Sequence, residues 1–118
     1  MVRSERMQTV AGLAKDHEDR AAQALAELRR QYEGSELRLE ELQKFQGEYQ
    51  QRMETLGREG MSIQQLNQHR RFNERLGGAV AQQRRVVEEM KRRIEQQMRS
   101  WSEASAKRHA LDETVSRL

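Results

Sequence analysis

The chain has 118 residues, 35% hydrophobic and 35% charged, with 22 Lys and Arg against 19 Asp and Glu for a net charge of +3. That is the length of one small domain, but the apolar share is too low for a globular core, and the absence of proline is unusual for a loop-rich fold and expected of uninterrupted helices. Zero cysteines exclude disulfides and thiolate metal sites and are compatible with a reducing compartment, and no apolar run approaches the roughly 18 to 20 residues that a spanning helix needs.

The opening Met1-Val2-Arg3-Ser4-Glu5-Arg6 lacks the apolar stretch of a signal peptide, so the protein is expected to stay in the compartment where it is made. From Leu25 an apolar ladder climbs by alternating steps of three and four: Leu25, Leu28, Tyr32, Ser35, Leu39, Leu42, Gln46, Tyr49, Met53, Leu56. Such steps are a heptad repeat, the signature of helices wound about one another. They predict a first helix over about residues 3–56, with Gly57 suited to the left-handed closing position.

Gly57-Arg58-Glu59-Gly60 interrupts the ladder. A turn over about residues 57–61 is short enough to fold the second half back beside the first. Ser62 and Gln65 stand in the Ser-x-x-Gln relation of a capping box, and Met61 and Leu66 are spaced as a hydrophobic staple. The second helix is therefore expected over about residues 62–118, on the ladder Leu66, His69, Asn73, Leu76, Val80, Gln83, Val87, Met90, Ile94, Gln97, Trp101, Ala104, Arg108, Leu111, Val115, Leu118. The predicted fold is all-α, one antiparallel coiled-coil hairpin. At about 1.5 Å per residue its arms would reach on the order of 80 Å.

Folding back about that turn pairs Leu42 with Leu76, Leu39 with Val80, Leu28 with Met90, Leu25 with Ile94 and Met7 with Leu111. Trp101 falls opposite His17, between Ala14 and Ala21, where the simplest expectation is a large knob filling a core with small walls. Gln46, Asn73, Gln83, Gln97 and Arg108 are polar seam positions, which fix register at some cost in stability. Val87 completes the expected seam.

Phe45 and Phe72 each lie one residue before the ladder and at nearly the same height, with Leu42, Tyr49, Leu76 and Ala79 around them. An apolar cluster displaced sideways on a pair of helices cannot be fully covered, and exposed aromatic patches commonly mark protein contacts. The competing readings are a seam that drifts to swallow both rings, or a hairpin that dimerises there. Charge is also unequal: residues 1–60 carry 10 Lys and Arg against 12 Asp and Glu, residues 61–118 carry 12 against 7. Arg70-Arg71, Arg84-Arg85 and Lys91-Arg92-Arg93 form either a solvated face with i,i+4 partners such as Glu89 to Arg93, or a footprint for an acidic protein surface or nucleic acid. Nucleic acid is disfavoured by the scarcity of aromatics and the interleaved glutamates.

Nothing in the sequence marks an enzyme or a cofactor site. Gly77-Gly78 lacks the Gly-Lys-Ser/Thr ending of a phosphate loop, and His17, His69 and His109 form no metal-binding pair. Two glycines inside a helix cost roughly 1 kcal/mol each relative to alanine, which points to a bend or to a partner's close approach.

The run Leu13-Ala14-Lys15-Asp16-His17-Glu18-Asp19-Arg20-Ala21-Ala22, the spacing Leu66-x5-Phe72-x3-Leu76, and the helix through Ala79-Val80-Ala81-Gln82-Gln83 together resemble the FliJ family of flagellar export proteins and its YscO-type secretion relatives. The similarity spans nearly the whole chain. It implies an antiparallel coiled coil like the central stalk of rotary ATP synthases, peripheral at the cytoplasmic face of the membrane. The implied partners are a hexameric export ATPase, the cytoplasmic domain of the export gate and export chaperones, with no cofactor. The family's gate-binding cluster matches Leu42, Phe45, Tyr49, Phe72, Leu76 and Ala79; Gln83 stands where some relatives carry histidine. A generic coiled-coil adaptor or secretion chaperone is the alternative.

Overall fold

The computed structural model describes residues 2–118. Two helices account for nearly all of them: α1, Val2–Glu59, and α2, Ile63–Ser116, forming a helical hairpin. Only Gly60, Met61 and Ser62 separate the helices, so the connection is shorter than the predicted 57–61. Gly57 is not the closing residue. α1 runs on through it to Glu59, and Gly60 takes the positive φ of 100° while its amide donates to the Leu56 carbonyl at 3.1 Å. A left-handed residue stops a helix wherever it occurs, and of the two glycines Gly60 is the one next to the connection, two residues before the cap Ser62.

That cap has the expected geometry. The Gln65 amide donates to Ser62 Oγ at 3.1 Å, and the Ser62 amide donates to Gln65 Oε1 at 3.2 Å. Two amides that the helix leaves without a carbonyl are satisfied reciprocally.

The contacts divide the chain into two compact units. The terminal unit extends along α1 to Gln31 and along α2 from Met90 to Leu118; the turn unit is Tyr32–Glu89. In the turn unit, Gln83 Nε2 donates to the Ser35 carbonyl at 3.0 Å, and Tyr49 Oη lies 2.8 Å from His69 Nδ1. Residue numbers in both pairs total 118, so the helices are antiparallel in the register that the ladders predict. Leu76, Val80 and Val87 are buried; Leu39 and Leu42 are half-buried. In the terminal unit Gln97 Nε2 donates to the Ala21 carbonyl at 3.1 Å, again totalling 118. Leu25 is buried there, and Leu28, Met90, Ile94 and Leu111 are half-buried.

The polar seam residues Gln83 and Gln97 thus turn their hydrogen bonds across the hairpin, whereas Asn73 is exposed. Each helical carbonyl already accepts from its own helix and has a second lone pair to offer. Among the described residues no buried side-chain nitrogen or oxygen lacks a partner.

Trp101 departs from expectation. It is 39% exposed and lines a shallow groove with Ala22, Leu25, Ala26, Arg29 and Met98, instead of filling the space between Ala14 and Ala21. Ala11, Ala14, Ala21 and Ala104 are all buried in this unit. Alanines at the seam bring helix backbones close, and the narrow gap has no room for an indole, which is turned to the flank. Glu18 is buried with them. Its Oε1 accepts from Arg108 Nε at 2.7 Å, and Arg108 Nη1 donates to Asp112 at 2.8 Å. The Ser105 hydroxyl and then Arg108 hold the Glu18 carboxyl below the usual carboxylate range, against the opposing effect of its burial.

Candidate functional site

The six residues singled out from the sequence all belong to the turn unit, and the structure divides them by depth. Tyr49 and Leu76 sit at ladder positions and are 8% and 7% exposed. Leu42 is half-buried and Ala79 exposed. Phe45 and Phe72, one residue ahead of the ladder on their helices, are 40% and 37% exposed. The seam does not drift to swallow the rings.

Aromatic contacts join the two helices at this height. Phe45 meets Phe72 edge-on, centroids 6.3 Å apart and planes at 80°. Phe72 also leans on Tyr49 at 4.7 Å and 54°. Edge-to-face and tilted pairs at these distances match the positive rim of one ring to the negative face of another. Phe72 is therefore central, touching an exposed ring on one side and a buried ring on the other. Two substantially exposed phenylalanines in edge-on contact, one of them backed by a buried tyrosine, form an apolar surface of the kind that commonly marks protein contacts.

His69 is the member that sequence reasoning left out of the cluster. It stands on the α2 ladder, and the register that pairs Tyr49 with residue 69 was the available signal. Its ring lies 6.1 Å from the Tyr49 ring, with Nδ1 at hydrogen-bond distance from the phenol. On the turnward side, Tyr49, Met53, Met61, Leu66, His69 and Arg70 are among the residues bounding a groove of about 460 Å³.

Gly77 and Gly78 lie inside α2 with no break in the helix. A methyl group at Gly77 would meet only Gln46 Nε2, at 4.0 Å, and one at Gly78 would meet nothing within 4 Å. No packing within the chain requires either glycine.

The basic flank is largely engaged. Arg85 donates to Gln82 Oε1 at 3.0 Å, and Lys91, Arg92, Arg93, Glu88 and Glu89 each have a partner. These observations fit a solvated face whose charged side chains are engaged within the chain. The described residues contain no group of three or more His, Asp or Glu placed to hold a metal ion, and no helix among them is long and apolar enough to cross a membrane.

No curated protein and no solved structure gives a significant match to the chain. A family model does: that of the flagellar FliJ protein, matched over residues 3–116. With nearly its whole length aligned to that model and the helical hairpin in place, the chain belongs to the FliJ family and is a component of the flagellar protein export apparatus.

Proposed function

We propose that the chain is a non-catalytic coupling element of the export apparatus. It associates with the hexameric export ATPase, links it to the cytoplasmic domain of the export gate and handles export chaperones, working at the cytoplasmic face of the membrane through these partners. The gate-docking surface is the cluster Leu42, Phe45, Tyr49, Phe72, Leu76 and Ala79. Polar seam residues hold the hairpin in one register without making it sticky towards copies of itself.

The observation that carries this reading is the pair Phe45 and Phe72. Both rings are left about two-fifths exposed, although α1 and α2 bring them together. A pair of rings that serves only the chain's own packing gains more by facing the seam. Gly77 and Gly78 beside them, unexplained by packing within the chain, allow a partner backbone to approach.

The test is retention of the gate domain and of the export ATPase by the wild-type protein and by Phe45→Ala/Phe72→Ala, with helicity checked by circular dichroism. The wild type is expected to retain both partners. The variant should lose the gate domain, keep the ATPase and stay helical. Retention by the wild type should change little between low and moderate salt, whereas nucleic-acid binding would fall steeply. If the folded wild type retains neither partner, the generic adaptor describes it better.

A further inference from the structure

We infer that His69 is a positioning residue for the docking surface: through its contact with the Tyr49 hydroxyl it fixes the orientation of the Phe72 ring. The inference rests on the reading of the cluster as a docking site and adds to it a residue that makes no contact with the partner.

The geometry is a short relay. Tyr49 Oη is 2.8 Å from His69 Nδ1. With the imidazole proton on Nε2, the phenol donates to Nδ1, which restrains rotation of the tyrosine about its side-chain bonds. The Tyr49 ring, 8% exposed, is the wall against which Phe72 lies at 4.7 Å. Phe72 in turn sets the edge-on meeting with Phe45 at 6.3 Å. A half-exposed ring loses side-chain freedom when a partner closes over it, and a surface already held in its bound arrangement loses less.

A purely structural role for the contact predicts something different. His69 occupies a heptad position where leucine packs better. Exchanging both partners of a hydrogen bond for apolar groups of similar shape is nearly neutral or stabilising. Tyr49→Phe/His69→Leu should therefore be at least as stable as the wild type while docking worse. His69→Asn keeps a polar atom close to the place of Nδ1 and should preserve both properties.

The experiment measures affinity for the gate domain, the unfolding midpoint, and ring-to-ring NOEs of Phe45, Tyr49 and Phe72 in the free full-length protein. Expected for Tyr49→Phe/His69→Leu are an unchanged or raised midpoint, weakened Phe72 to Phe45 NOEs, and affinity about three- to tenfold lower, the range one hydrogen bond supplies. His69→Asn is expected within about twofold of wild type on the same reasoning. Unchanged NOEs in the double variant overturn the inference whatever the affinity. Changed NOEs with wild-type affinity overturn it too, provided Phe45→Ala/Phe72→Ala still abolishes docking; the docking reading then survives alone. If Phe45→Ala/Phe72→Ala docks normally, the docking reading has failed and the role of His69 fails with it.

Discussion

Val80 offers a sharp test of how the hairpin is held together. At 3% exposure it is a buried seam residue in the turn unit, directly preceded by the exposed Ala79. Val80→Ala removes two carbons from the seam, each worth about 0.8 kcal/mol of transfer free energy, for a loss of about 1.6 kcal/mol. Whether a cavity adds to this depends on how closed the core is. Among the described residues no large side chain falls below 2% exposure, so the space left behind borders solvent or is filled by small movements of its neighbours. The cavity contribution, about 24 cal/mol per Å³ of residual volume in a closed core, should nearly vanish. Urea unfolding followed by helical circular dichroism is therefore expected to show a loss between about 1 and 2 kcal/mol at unchanged m-value. Ala79→Ser, one residue away on the outer face, should stay within about 0.5 kcal/mol of wild type. A loss above about 3 kcal/mol for Val80→Ala would mean a closed, jigsaw-packed interior and refute the reasoning. Equal effects at the two positions would refute the assignment of faces.

Glycine substitutions around the turn should have opposite signs: Gly60→Ala, at φ 100°, should destabilise by about 1 kcal/mol or more, and Gly57→Ala, helical with open space, should stabilise by about 0.4 to 1 kcal/mol in the same urea assay. Ser62→Ala removes the oxygen that caps α2 and is expected to cost about 1 kcal/mol by thermal or urea unfolding. Acid should loosen the terminal unit. A carboxylate held below its ordinary 4.5 when folded stabilises the fold above the unfolded value and loses that contribution as pH falls through the lower, folded one. Glu18→Gln is accordingly expected to make the loss of stability below about pH 4.5 shallower, and an acid-unfolding curve as steep as wild type's would contradict this.

Periodicity made much of this protein legible before any coordinates. From Leu25 onward the three-four ladder names most of the residues that the structure buries or half-buries, because a heptad of leucines and valines has only one stripe to hide; Leu56, Leu66, Asn73, Trp101 and Leu118 lie on the ladder and are exposed. Ser62 and Gln65 announce the start of α2 through chemistry confined to four consecutive residues. Phe45 and Phe72 stand out because they miss the stripe by one position, and their exposure follows from that offset. Before Leu25 the same stripe continues through Ala21, Glu18, Ala14, Ala11 and Met7; alanines and a glutamate give little hydrophobic signal, so there the helix was legible from the pairing of Met7 with Leu111 while the burial of Glu18 was not.

Other features were decided only when the helices met. Gly57, next after the ladder's Leu56, and Gly60 can each take a left-handed close; that Gly60 does so is decided by where the chain must reverse to bring Ser35 opposite Gln83 and Tyr49 opposite His69. Trp101 lies on the ladder yet is turned aside, because the separation of the helices there is set by the buried alanines of both. The buried Glu18 is met by Arg108 and Ser105 from the other helix, and the wall behind Phe72 of α2 is the Tyr49 ring of α1. Local periodicity determines which stripe of each helix is hidden, whereas what fits within the seam and which polar groups satisfy each other depend on the spacing and register of two segments far apart in sequence.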